Sequence, residues 1–339
     1  MTDYSMKQPL SYEPLKSILA MMRLKTRENI ALRMPSLQKT NNLIPYTLDS
    51  AHFSEEHVFK VDRKHYKKNY SGRYNRCDVR SNREPVERDF LNLVLRYIRD
   101  GTRIRKLVYD DLPKGLGEKN FKIHISELSM FYVPGLYTRC EMNVEKFQKL
   151  LPMIKDSIPL KKVEIEFNRE TRPLFEEPLI KTCAELSIRY IYRYDNIELG
   201  DFLHYLDNKH ILLKIGDTDR WTDQMGINLV RNLAKHWLNT EKSAGRTFTL
   251  PYHKNSFIAD ILTAMKEQFG ARKTKISKLG DDWFADCAVI PMNEDLEIVA
   301  IGTKYGDGTR TAGIYDLKFA LKMEVKARGS TSAAGFFEY

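Results

Sequence analysis

The sequence predicts an α/β fold, because helical and extended patterns alternate from about residue 86 to residue 270. Three strand-like runs in this region are centred near residues 164, 187 and 211, which places them 23 and 24 residues apart. This spacing falls inside the roughly 20–29-residue period of leucine-rich repeats. The last 65 residues change to strand-like runs between glycine-rich turns. We therefore expect an amino-terminal helical hairpin, an irregular leucine-rich-repeat-like αβ solenoid and a small antiparallel β cap at the carboxyl terminus.

The predicted boundaries divide the chain into four segments. Residues 1–50 form a helical segment, 51–85 a basic connecting segment, 86–270 the αβ repeat-like domain and 271–339 the β-rich cap with a frayed tail. A non-repetitive α/β layer fold remains the alternative to the solenoid, because the asparagine ladder of leucine-rich repeats is not visible. The predicted elements of the body and cap are helix 86–100, strands 104–108 and 122–130, helix 143–157, strands 160–167 and 184–190, helix 198–207, strand 209–215, helix 222–239, strand 246–252, helix 255–269 and strands 284–291, 295–301 and 317–326.

Composition indicates a globular protein with a basic surface. Of the 339 residues, 42% are hydrophobic and 11% aromatic, which is enough for a sizeable core and too aromatic for a disordered chain. The formal net charge of +10 would attract polyanions or acidic proteins. The four cysteines are scattered and form no CxxC pair, so we expect core thiols in a reducing compartment. The apolar runs are too short to cross a membrane, and we expect an intracellular protein, cytoplasmic or nuclear.

An apolar stripe marks the amino-terminal segment. Leu15, Ile18, Leu19 and Met22 recur at helical spacing, and Pro14 suits a first helical turn. A second short helix is predicted to end before Pro35. A hairpin of this length is too small to bury its own apolar face, so it needs either the rest of the chain or a partner protein.

The most basic stretch is residues 60–83, in which nine of 24 residues are lysine or arginine. The cations Lys64, Lys67, Lys68 and Arg73 could neutralise phosphates, and interleaved tyrosines could stack on bases. The same tyrosines are four residues apart and could equally form a packing stripe. Since no known nucleic-acid module surrounds the stretch, a solvated connecting element is the favoured interpretation and nucleic acid is an unlikely partner.

Motifs for catalysis or cofactor binding are not found. The glycine-rich run at 302–308 lacks the Lys-Ser/Thr of a phosphate-binding loop. The aspartates at 217–223 lack the glycine and glutamate of a calcium loop, and Asp219 or Thr222 is predicted to cap a helix instead. The histidines show no metal-binding or catalytic spacing. We expect a protein that is not an enzyme and has no catalytic residue, cofactor or metal.

The amino-terminal pattern resembles an F-box. Its residues are Pro9, Leu10, Leu15, Ile18, Leu19, Met22, Ile30, Arg33, Pro35, Ser36 and Leu37. The whole chain is similar to the nematode-expanded family of F-box C-type proteins, which carry a carboxy-terminal domain of unknown function. The phrases that carry this resemblance, in order, are PLSYEPLKSIL, RMPSLQ, IPYTLDSAHFS, LIKTCAELSIRY, HWLNTEKSAGRTFTL and LKMEVKARGS.

The resemblance implies a substrate adaptor that binds Skp1 of a cullin-type ubiquitin ligase and holds an unidentified protein target. The residues expected to bury against the Skp1-like partner are Pro9, Leu10, Leu15, Ile18, Leu19 and Met22. The alternative is that these side chains pack onto their own chain. Pro35 follows Arg33 directly, and there is no tryptophan before Trp221, so the third helix of an F-box departs from the pattern. This departure favours a second hypothesis, a protein-interaction scaffold uncoupled from any ligase.

Overall fold

The structure is a computed structural model that describes residues 12–53, 58–62, 64–68, 74–76, 90–113, 115–130, 143–190, 199–215, 221–252, 254–276, 285–304, 319–329 and 336–338. The chain forms two compact units. The first comprises residues 1–129 and 142–158, and the second comprises residues 130–141 and 159–339. Helices and mixed strands build both units, which confirms the α/β class.

The first unit has five helices and six strands within its described residues. Its helices are α1 (Tyr12–Met21), α2 (Leu24–Arg33), α3 (Gln38–Leu43), α4 (Phe90–Tyr97) and α5 (Val144–Ile154). Its strands are β1 (Thr47–Phe53), β2 (Val58–Val61), β3 (Lys64–Lys68), β4 (Tyr74–Arg76), β5 (Arg103–Tyr109) and β6 (His124–Met130). Single 3-10 turns lie at Pro35–Leu37, Gly117–Lys119 and Lys155–Ser157.

The strands of the first unit follow the order β6-β5-β1-β2-β3-β4. β1, β5 and β6 are parallel, with Leu48 opposite Ile104, whereas β1 to β4 pair antiparallel. The predicted basic connecting segment is therefore largely strand, because β2, β3 and β4 fall inside residues 51–85. Alternate β1 residues, such as Leu48, are buried, so β1 supplies core side chains as well as hydrogen bonds.

The second unit contains four helices and nine strands within its described residues. Its helices are α6 (Pro178–Lys181), α7 (Leu199–His204), α8 (Asp223–Thr240) and α9 (Asn255–Phe269), and a 3-10 helix spans Arg172–Glu176. Its strands are β7 (Lys162–Phe167), β8 (Glu185–Tyr190), β9 (His210–Ile215), β10 (Thr247–Tyr252), β11 (Arg272–Ile276), β12 (Ala285–Pro291), β13 (Leu296–Lys304), β14 (Phe319–Ala327) and β15 (Phe336–Glu338). Thr222 caps α8 as predicted, since its side chain accepts a hydrogen bond from Met225 N.

Strands β7, β8, β9 and β10 are parallel neighbours in chain order, joined through helical connections. Their alternation buries one set of side chains against the helices. Phe167 on β7 contacts Phe175 and Phe202, with ring centroids 5.7 and 4.2 Å apart. The regular spacing of these strands that the sequence shows is thus real in the fold, with one helical connection after each strand.

The carboxy-terminal strands do not form a separate cap. β14 pairs antiparallel with β10, with Leu250 opposite Leu321, so β11 to β15 extend the same set of strands as β7 to β10. The order in this unit is β15-β11-β12-β13-β14-β10-β9-β8-β7. The predicted frayed tail is also wrong in part, because Phe336–Glu338 pairs with β11. Hydrogen bonding between strands distant in sequence gives no local signal, which is why both features were missed.

The described cysteines behave as core residues. Cys183 and Cys287 are free thiols and both are buried, while Cys77 and Cys140 lie outside the described residues. Burial raises the pKa of Cys183 to about 12, so its thiol stays protonated at neutral pH.

Candidate protein-interaction surface

The amino-terminal helices expose an unusual number of large apolar side chains. Eight such side chains are exposed among the described residues, and five of them lie between residues 18 and 43. These five, which we call the helical apolar surface, are Ile18, Met21, Leu32, Met34 and Leu43. Met21 is 87% exposed and Leu32 is 79% exposed. A concentration of exposed apolar side chains is typical of a site where another molecule binds.

The residues predicted from the sequence to contact a partner divide into three groups. Ile18 is 40% exposed and belongs to the helical apolar surface, whereas Leu15 and Met22 are half-buried. Leu19 is buried and packs into the core of the first unit. Pro9 and Leu10 lie outside the described residues. Met21, Leu32, Met34 and Leu43 were not predicted, since the helical period alone does not tell which apolar side chains the rest of the chain covers.

A buried arginine holds α2 to the chain that follows it. The Arg27 guanidinium is fully buried and donates through Nε to Asn41 Oδ1 at 2.9 Å. Its Nη atoms donate to the backbone oxygens of Asn41, Ile44 and Pro45 at 2.7–3.0 Å. The guanidinium also lies 4.1 Å from the ring centroid of Tyr46, a cation–π contact. These contacts fix the helical apolar surface on a rigid support.

A buried ion pair ties the same helix to β3. Lys64 Nζ contacts both carboxylate oxygens of Glu28, and it lies 5.1 Å from the ring centroid of Tyr97. Lys64 is 8% exposed, so its charge is neutralised inside the first unit instead of facing a polyanion as expected from the sequence. The side chains of Lys67 and Lys68, and the whole of Arg73, lie outside the described residues.

The helical apolar surface lies among exposed cations. Arg23, Lys25, Arg33 and Lys39 are exposed, and none of them forms an ion pair within the part of the chain that the structure describes. The acidic side chains of the same helices are already paired, Glu13 with Lys16 and Glu28 with Lys64. This sign of charge favours a partner whose contacting surface is acidic.

No other candidate centre emerges from clustered ligating groups. Among the described residues, no cluster of three or more His, Cys, Asp or Glu side chains could hold a metal ion. No helix in the described ranges is long and apolar enough to cross a membrane. His204 on α7 and His236 on α8 do stack, with parallel rings whose centroids are 4.2 Å apart. Neither Nε2 atom has a hydrogen-bond partner among the described residues.

This histidine pair predicts a loss of stability in mild acid. Burial, then the charges of His204, Lys242 and Arg246, lower the pKa of His236 below its ordinary 6.5, although its ring also bonds to the His204 backbone. The nearby carboxylates are Asp201, 4.0 Å from His204, and Asp207, which pairs with Lys242. Because the unfolded chain binds the proton more readily, stability should be complete above pH 6.5 and fall as pH drops through the lower folded pKa.

We expect His236→Gln to reduce this acid-dependent loss. The measurement is the urea midpoint by tryptophan fluorescence from pH 7.5 to 5.0, and Trp237 is adjacent to the pair in sequence. The control is His124→Gln, which replaces an exposed histidine of the first unit. A slope that is identical in wild type and His236→Gln would contradict the assignment.

Comparison with known proteins identifies one matching domain. A family model described as Domain of unknown function (DUF3557) matches residues 116–254, which include β6 to β10 and helices α5 to α8. The chain thus carries a domain of unknown function, as expected from the resemblance. No curated protein and no solved structure matches the chain.

Proposed function

We propose that this protein is an F-box-like substrate adaptor, in which the helical apolar surface binds an acidic Skp1-type protein and the second unit contributes to holding a protein target. The observation that carries the proposal is the cluster of exposed Ile18, Met21, Leu32, Met34 and Leu43 beside four unpaired cations. In such an adaptor the chemistry of ubiquitin transfer belongs to another subunit.

The energetics of burial support this role. Covering a single Met, Leu or Ile side chain contributes roughly 1.5–3 kcal/mol, so a few of them could supply the anchors of an interface. Met21 and Leu32 have the most area to lose, since they are the most exposed of the five. The cations nearby would raise the association rate with an acidic partner and make it sensitive to salt.

The rigid support of the surface fits an adaptor. Arg27 and the Glu28–Lys64 pair hold α2 in place before any partner binds, so little conformational entropy is lost on docking. In the second unit, the successive parallel strands β7 to β10 are compatible with a leucine-rich-repeat-like solenoid, and we propose that this body takes part in target recognition.

The test is binding of the purified chain to a purified Skp1-type protein. We expect the double variant Met21→Asp with Leu32→Asp to weaken binding at least ~tenfold, because it places two carboxylates in an apolar contact facing an acidic partner. Both side chains are largely exposed, so the variant should still fold. Binding is measured by calorimetry at low and at physiological salt.

The matched control is Val144→Asp with Ile158→Asp, which alters two exposed apolar side chains of the same unit outside the helical apolar surface. This control should bind like wild type. If wild type captures no Skp1-type protein, the adaptor proposal fails. The protein would then be the uncoupled scaffold, a reading supported by Leu19 and Arg27 being packed against their own chain. Equal binding by wild type and the Met21/Leu32 variant would also refute the proposed surface.

A further inference from the structure

A groove of about 280 Å³ opens on the second unit. Its walls come from the 3-10 helix Arg172–Glu176, from α6 and from the end of α7 with the segment that leads into β9. The groove combines an apolar floor with a polar edge. Pockets of this composition bind ligands by burying an apolar group and orienting it with few polar contacts.

The floor of the groove is aromatic and already ordered. Phe175 and Phe202 are buried, and their ring centroids lie 4.8 Å apart in an edge-to-face arrangement. Leu206 is also buried, whereas Tyr205 beside it is 76% exposed. The groove thus offers a preformed apolar surface with one exposed ring, which is suited to an apolar side chain of a ligand.

The charges at the edge leave one cation uncompensated. Glu176 pairs with Lys181 at 2.5 Å, and Asp207 lies 3.4 Å from Lys242 and 4.0 Å from Arg246. Arg172 is exposed and forms no ion pair with any residue that the structure describes. A guanidinium in this position favours a carboxylate, which it can bind in a bidentate manner.

A buried amide supplies the remaining polar group. Asn208 lines the groove, and its Nδ2 donates to Ile180 O at 2.7 Å and to Lys181 O at 3.2 Å. These bonds fix the orientation of the side chain. Its Oδ1 accepts no hydrogen bond from another described residue, so an acceptor is available in the groove, and a peptide N–H is a donor that matches it.

We propose that this groove binds a short extended peptide segment in which an apolar side chain adjoins a carboxylate. The apolar side chain packs on Phe175, Phe202 and Tyr205, the carboxylate pairs with Arg172, and a backbone N–H of the peptide donates to Asn208 Oδ1. The groove belongs to the second unit and the helical apolar surface to the first. Peptide binding is therefore a separate property that does not require docking to a ligase.

The experiment uses the full chain and four fluorescein-labelled peptides with blocked ends. Each has a Gly/Ser background and a central pair, Leu-Asp, Asp-Leu, Phe-Asp or Asp-Phe, and each has a partner in which Asn replaces Asp. We expect at least one Asp peptide to bind saturably by fluorescence anisotropy. Its Asn partner should bind about tenfold more weakly, the range for loss of one charge-assisted contact.

Two variants and two controls locate the site. Arg172→Glu and Tyr205→Ala change exposed side chains and should each weaken binding about fivefold or more, with Arg172→Glu removing the preference for Asp over Asn. Lys235→Glu, an equal charge reversal at an exposed position on α8 outside the groove, should leave binding unchanged. The Met21/Leu32 variant should also bind peptide like wild type.

The proposal is overturned if none of the four peptides binds better than a Gly/Ser peptide. It is equally overturned if Arg172→Glu and Lys235→Glu have the same effect, because the attraction would then be due to net charge. Loss of peptide binding in the Met21/Leu32 variant would place the site on the first unit and contradict the groove.

Discussion

Replacing Arg27 with methionine is expected to destabilise the first unit by about 3–5 kcal/mol, the range for removing one partner from a buried polar network. Methionine fills a similar volume, so the loss comes mainly from hydrogen bonding. The backbone oxygens of Asn41, Ile44 and Pro45 would each lose the donor that Arg27 supplies. The contact with Tyr46 would lose its cation as well.

Hydrogen exchange is the appropriate measurement for Arg27→Met. Residues 1–129 and 142–158 contain no tryptophan, so tryptophan fluorescence does not report on the first unit. Amides of α2 and β1 should exchange much faster in the variant, while β8 and β9 of the second unit should be unaffected. The control is Arg23→Met, which removes an exposed guanidinium just before α2 and should change exchange little. Equal protection in both variants would show that the network is not what holds α2.

Gly226→Ala is expected to destabilise the second unit by about 1–3 kcal/mol, the cost of overpacking a core. A Cβ at this position of α8 would stand 2.4 Å from Phe257 Cζ on α9, and Phe257 is fully buried. Alanine normally favours a helix by up to about 1 kcal/mol over glycine, but that gain is smaller than the clash. The absence of a side chain is thus what allows α8 and α9 to approach each other here.

Gly200→Ala provides the opposite expectation from the same substitution. Gly200 lies in α7, and its added Cβ would meet Leu229 Cδ1 at 3.8 Å, an ordinary contact. Helix propensity should then dominate, giving a neutral or slightly stabilised variant. Urea unfolding by tryptophan fluorescence compares the two, since Trp221 Nε1 lies 3.3 Å from the Cβ position at Gly226. A Gly226→Ala midpoint at or above that of Gly200→Ala would refute the packing argument.

The sequence by itself determined the elements whose signals are local. The period of Val163, Ile165 and Phe167 indicated β7, and Thr222 marked the start of α8, because side-chain alternation and capping depend on near neighbours in the chain. It also indicated that the amino-terminal helices have more apolar side chains than a short hairpin can bury.

Only the tertiary structure decided which side chains that burial covers. It placed Leu19 inside and Met21 outside, buried Arg27 against three backbone oxygens, and paired Lys64 with Glu28 instead of leaving it for a polyanion. It also joined β14 to β10, which removed the predicted separate cap. In each case the deciding contact joins residues that are distant in sequence or lie on different elements, and the free energy of such a contact leaves no periodic trace in the local sequence.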